Sequence, residues 1–180
     1  MARVPLRIQS DLPEEYQYLL SEDALGERNV VRAIANAPAV LRSYMRYGST
    51  LWDAGGLTVR QRELVILGVA RALDSRYEWH QHVEFGRDAG IDDAELRAIG
   101  RDDLNRFGPA DHALLRYARA FAKRDVTDAD HSALTEQFDL GTTTAVAMLA
   151  SHYVATASVL DAMDVPLEGS FVGWEPTSDG

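Results

Sequence analysis

The sequence contains no cysteine. That absence excludes disulfides, thiolate nucleophiles, CxxC redox couples and cysteine-ligated zinc. Positive charge is also short: 18 Lys and Arg face 28 Asp and Glu, a formal net charge of −10. A general nucleic-acid binder neutralises phosphates with clustered Lys and Arg, so no nucleic-acid partner is expected. A small anionic substrate stays open, because the field at a site matters more than net charge. Long apolar runs are missing too. The longest, Ala145 to Leu160, carries Ser151, His152, Thr156 and Ser158 and falls short of the ~20 apolar residues of a membrane span, so no membrane partner is expected. The opening MARVPLRIQSDLPEE has a proline and no apolar core, so no secretory signal is read there and the expected location is cytoplasmic. No GxGxxG, P-loop or GxSxG occurs, which removes support for nucleotide and serine-hydrolase chemistry.

What is present is a chain of 180 residues, 46% hydrophobic, which suits one folded domain with an added arm and argues against disorder. Almost every segment reads as helix. Pro13, Glu14 and Glu15 suit a helix start, and Asn29 is placed to cap a short helix over 30–36 that Pro38 separates from the next. Leu41, Tyr44, Met45 and Leu51 fall on helical spacing up to Gly55-Gly56. Thr58 and Gln61 form a capping-box pattern with Leu57 as staple. The helix beyond, from Leu64 to Leu73, is apolar on most sides, which marks a buried helix. A second run spans Tyr77 to Ala89 with Gly90 at its C′ position, and Asp92 caps another short helix. Gly108-Pro109 precedes the face made by Leu114, Leu115, Tyr117, Ala118 and Phe121; Thr127 caps 128–138; Gly141 precedes a long last helix ending near Met163. No alternating pattern suggests a sheet. The fold class read from this is an all-α helical bundle. In the irregular tail, Phe171 and Trp174 are expected to pack, either on their own domain or across a neighbouring subunit.

The stretch from Glu63 to His82 holds the chemistry. Glu63 shares a helix face with Leu67 and Ala70, and a carboxylate on such a face must be paired, hydrogen-bonded or protonated. Ser75, Glu78 and His82 recur at i, i+3 and i+7, one stripe flanked by Tyr77 and His80. If the two helices pack as an antiparallel pair, Glu63, Glu78 and His82 converge into an acid–base set. Two blander readings stand beside this: Glu78 and His82 as a surface ion pair, and Glu63 paired with Arg60 or Arg62 in solvent. A metal site ligated by Glu63, Glu78 and His82 is a further alternative. His112 and His131 sit beside Asp111 and Asp130 at helix starts, where exposed pairs are common. His152, within the last helix, is either a buried hydrogen-bonded residue or a pocket-lining one.

Leu57-Thr58-Val59-Arg60-Gln61-Arg62-Glu63-Leu64-Val65-Ile66-Leu67, Tyr77-Glu78-Trp79-His80-Gln81-His82 and Ala89-Gly90-Ile91 resemble the carboxymuconolactone decarboxylase family. The ending from Val159 to Glu168 resembles the close of its larger members, so the likeness covers roughly 40–168. The resemblance implies an alkylhydroperoxidase D-like fold, a homo-oligomer (dimer, trimer or hexamer), an N-terminal arm over 1–40, a family domain over 41–168 and a tail over 169–180 within one structural unit. In the peroxidase branch of that family a glutamate precedes a CxxC pair and a histidine. Glu63 and His82 match the first and last, whereas Ser75 and Glu78 stand where the cysteines belong. Thiol peroxidase chemistry is therefore not expected. The decarboxylase branch loses CO2 from an unsaturated lactone acid without a cofactor. Carried over, it implies His80 and His82 as proton donors, with Glu63 and Glu78 as relay or orienting groups. Tyr77 and His152 would line the substrate site, and Arg60 or Arg76 would hold a substrate carboxylate. Glu78 would repel a dianionic substrate unless protonated. The function expected is a cofactor-free lyase or isomerase acting on a small organic acid or lactone. The alternatives are a thiol-free ligand-binding or assembly protein and the metal-dependent site.

Overall fold

In a computed structural model the described residues are 2–21, 26 and 28–177, and among them all regular structure is helical. Two compact units divide the chain, Met1–Thr50 with Ser158–Ser170 and Leu51–Ala157 with Phe171–Gly180.

The first unit contains 3-10 segments over Gln9–Asp11 and Glu14–Leu20, helix α1 (Asn29–Ile34) and most of α2 (Pro38–Ala54). Leu12, Leu19, Leu20, Val31 and Leu41 form its core. Asn29 does not cap α1 as expected; Arg28 takes that position and Asn29 is the first helical residue. The reason lies far along the chain. Glu168 accepts a hydrogen bond from the Asn29 backbone N–H at 2.6 Å, and the Asn29 side chain donates to the Pro166 carbonyl at 3.1 Å. A distant carboxylate thus serves the helix N-terminus, where negative charge is favourable.

The second unit is built around α3 (Val59–Ala72), whose residues Glu63 to Ala70 are all buried. The predicted capping box forms: Thr58 accepts from the Gln61 N–H and Gln61 accepts from the Thr58 N–H. Helices α4 (Arg76–Asp88) and α6 (Pro109–Lys123) pack against α3. A Cβ at Gly68 would stand 3.3 Å from the Ala118 Cβ, so glycine permits the close approach of α3 and α6. Asp92 and Thr127 cap α5 (Asp93–Arg101) and α7 (Asp128–Thr135), each through a full capping box. Helix α7 stops at Thr135, short of the expected Phe138, and α8 (Leu140–Met163) already includes Gly141. Asp139 sets that start, accepting from the Thr142 N–H at 2.7 Å.

Helix α8 exceeds what was read from its polar interruptions. It spans 24 residues and contains an 18-residue window of mean hydropathy 1.3, enough by length and composition to cross a membrane, and half of that window is buried. Val146, Leu149, Ala150 and Tyr153 pack into the core beside Val65, Ile66 and Leu114. The tail packs on its own unit. Trp174 meets Trp79 at 5.4 Å and Phe171 at 5.1 Å, and the Trp79 indole N–H donates to the Gly173 carbonyl at 2.8 Å.

Candidate active site

Helix α3 presents Glu63 from its first turns, and α4 presents Glu78 and His82 one turn apart on the facing side. His82 Nδ1 and Glu63 Oε2 are hydrogen-bonded at 2.7 Å. Arg62 Nε donates to the other oxygen of the same carboxylate at 3.3 Å. Glu63 therefore bridges a guanidinium and an imidazole. With Nδ1 held, Nε2 is the ring nitrogen left to act, and Glu78 Oε2 lies 3.7 Å from it. That is too long for a hydrogen bond and close enough for strong electrostatic coupling.

All three side chains are withdrawn from solvent, with exposures of 1% for Glu63, 6% for Glu78 and 7% for His82. The surface-pair readings of Glu63 and Glu78 are thereby corrected, although Arg62 is indeed a partner of Glu63. Burial pushes the Glu78 carboxyl up to about 7, against the opposing pull of His82. Its position in the first turn of α4 favours negative charge, yet loss of hydration dominates. Near neutrality Glu78 is thus poised between acid and base.

An aromatic wall encloses the imidazole. Tyr153, Phe85 and Trp52 have ring centroids 5.1, 5.5 and 6.4 Å from that of His82. The Trp52 indole N–H donates to the Tyr153 hydroxyl at 3.2 Å, and the Arg62 guanidinium lies 4.3 Å over the Trp52 ring. None of Trp52, Phe85 or Tyr153 was singled out from sequence. Phe85 continues the stripe of Ser75, Glu78 and His82 by one more step, so its signal was there to read.

The other expected site residues part company. Tyr77 and Ser75 are buried on and before α4. His152 meets Tyr153 edge-on at 5.4 Å, one ring removed from His82, and burial pushes its imidazole down to about 4. His80, two residues before His82, faces about 200° away around the helix. Its Nδ1 is buried with no hydrogen-bond partner among the described residues. Arg60 is spent elsewhere: its donors go to Glu95 at 2.7 and 3.0 Å, to Asp111 at 2.9 Å and to the Gly90 carbonyl at 2.8 Å. Arg76 lies 4.5 Å over the Phe171 ring. Neither arginine joins the Glu63–His82 cluster.

The metal alternative is corrected by the same geometry. Glu63 meets Nδ1 and Glu78 faces Nε2, on opposite edges of one ring, so the three donors do not converge on a point. Among the described residues no group of three or more His, Asp or Glu is arranged to hold a metal ion.

Residues 38–120 match the model of the carboxymuconolactone decarboxylase family. A crystal structure from Ralstonia eutropha JMP134, described as an uncharacterized peroxidase-related protein with an alkylhydroperoxidase AhpD core, superposes with a TM-score of 0.76. That match covers 98% of each chain at 18% identity and shows the shared fold. No curated protein matches the sequence. Residues 38–120 thus match the carboxymuconolactone decarboxylase family model, in a chain with an alkylhydroperoxidase D-like all-helical fold and no CxxC cysteines.

Proposed function

We propose that the protein is a cofactor-free enzyme that moves a proton on a small organic acid or lactone, with decarboxylation of an unsaturated lactone acid as the leading reaction. The observation that carries this reading is the buried series Glu63, His82, Glu78, in which Glu63 fixes one imidazole nitrogen and the other faces a carboxyl held near 7. General acid–base catalysis needs a group that changes protonation near the working pH, within reach of the substrate.

The bond between ring carbon and carboxylate breaks, CO2 leaves, and the electron pair delocalises into the conjugated lactone. Glu78 in its acid form, directly or through His82 Nε2, delivers one proton to carbon. The same route regains a proton from water. Glu63 keeps Nδ1 protonated and stabilises the imidazolium when it forms, a positioning part. Arg62 balances the Glu63 charge. With Glu78 protonated, the site does not repel the substrate carboxylate. The aromatic wall supplies an apolar surface on which that carboxylate is less stable than the CO2 it becomes.

The test is CO2 release from a panel of carboxylated unsaturated lactones. Glu63→Gln and His82→Ala should each lower kcat/KM by about 10²–10⁴, with helical content unchanged by circular dichroism. Turnover equal to the parent in both variants would refute the proposal.

A further inference from the structure

Trp52, in the last turn of α2, has no titratable group, yet each partner of the Glu63–His82 hydrogen bond is braced by a residue that Trp52 holds. One brace is Arg62. Its Nε meets Glu63 Oε1 at 3.3 Å, at the long edge of hydrogen-bonding range, and its Nη1 and Nη2 have no hydrogen-bond partner among the described residues. One long contact is a weak hold on a flexible side chain. The Trp52 face supplies the stronger hold, with the guanidinium carbon 4.3 Å from the ring centroid.

The other brace is Tyr153. Its ring stands 5.1 Å from that of His82 at 86°, and its hydroxyl accepts from the Trp52 indole N–H at 3.2 Å. Trp52 itself stands 6.4 Å from His82 at 78°. Two near-perpendicular rings thus wall the imidazole and oppose the turn that would carry Nδ1 away from Glu63. Trp52, Arg62, Glu63, His82 and Tyr153 close a ring of side chains drawn from α2, α3, α4 and α8, all within the second unit. In a closed ring each contact restrains the two beside it, so opening one link loosens the others.

We propose that Trp52 is a positioning residue of the candidate site. Its face fixes Arg62 on Glu63, its N–H fixes Tyr153 against His82, and together these keep Nδ1 on Glu63 and Nε2 toward Glu78. The inference rests on the proton-transfer reading, in which the Glu63–His82 hydrogen bond decides which nitrogen acts.

The experiment measures solvent exchange of the His82 Nδ1 proton in histidine-labelled full chain, as a ratio to exchange of the backbone amides over 64–69 in α3. The ratio cancels any general loss of stability and reports opening of the Glu63–His82 hydrogen bond alone. Trp52→Leu removes both the face and the N–H, and should raise the ratio about tenfold or more. Trp52→Phe keeps a face for Arg62 and loses only the N–H, so a rise of about threefold is expected. The Phe variant retains the aromatic packing and decides the matter if Trp52→Leu does not fold. A ratio equal to the parent's in Trp52→Phe would overturn the assignment, as would exchange at His82 that rises only in step with the α3 amides. A parent with no proton on Nδ1 would refute the proton-transfer reading, and the assignment with it.

Discussion

Glu78 illustrates how one side chain acquires chemistry from its surroundings. Its stripe with Ser75 and His82 was legible as helical spacing, but the stripe alone left a surface ion pair equally open. What decides is burial: the carboxyl loses its hydration, is pushed up to about 7, and has only His82 to oppose that shift. If Glu78 is the proton donor, turnover falls as pH rises through about 7, because the acid form is being lost. In Glu78→Gln the residual rate should be lower by about 10²–10⁴ and flat across that range. A pH–rate profile that keeps the limb in the variant would assign it to another group. Trp52 and Tyr153 lie 101 positions apart, so their hydrogen bond beside His82 leaves no local pattern to read. The fate of Arg60 was hidden for the same reason, since Glu95 and Asp111 claim it from other helices.

At the scale of elements, helix ends set by neighbours in sequence were the readable ones. Thr58, Asp92 and Thr127 all form the capping boxes that their spacing indicates. Where a distant residue intervenes the local rule fails, as when Glu168 serves the start of α1 and displaces Asn29 from its capping part. The tail over 171–177 lacked any such local rule, because its order rests on contacts with α3, α4 and α5. Arg71 sits 4.9 Å over Trp174, Trp79 donates to Gly173, and Arg101 pairs with Glu175. Gly100 on α5 is the tight point: a Cβ there would stand 1.8 Å from the Trp174 carbonyl oxygen, and backbone cannot swing aside as a side-chain end can. Gly100→Ala should therefore cost about 1–3 kcal/mol in urea denaturation and speed proteolytic removal of the tail. Stability and proteolysis equal to the parent would show that the tail does not press on α5.

For the whole molecule, the fold class was written in the helical periodicity, and the match of residues 38–120 to the family model in the motifs around Glu63 and His82. The absence of cysteine bears most on chemistry. The resemblance implies that Ser75 and Glu78 stand where the peroxidase branch has its thiols, and a buried carboxyl at Glu78 makes global stability depend on pH. A carboxyl raised to about 7 stabilises the fold fully below its ordinary value near 4.5 and loses that contribution as pH rises to about 7. His152, lowered to about 4, has the opposite sign, its contribution being complete above 6.5 and lost as pH falls toward 4. The two windows overlap, so the difference between parent and Glu78→Gln isolates the carboxyl. In chemical denaturation, the parent's stability relative to that variant should decline between pH 4.5 and 7 and then level off. A pH-independent difference would contradict the burial account of Glu78. The most direct test of the proton relay needs no substrate. Long-range ¹H–¹⁵N correlation spectra of histidine-labelled protein at mildly alkaline pH, with His82 assigned by its Gln variant, report which ring nitrogen carries the proton. Neutral His82 is expected to be protonated at Nδ1 with Nε2 bare, and to lose that preference in Glu63→Gln. A proton on Nε2 in the parent would contradict the relay.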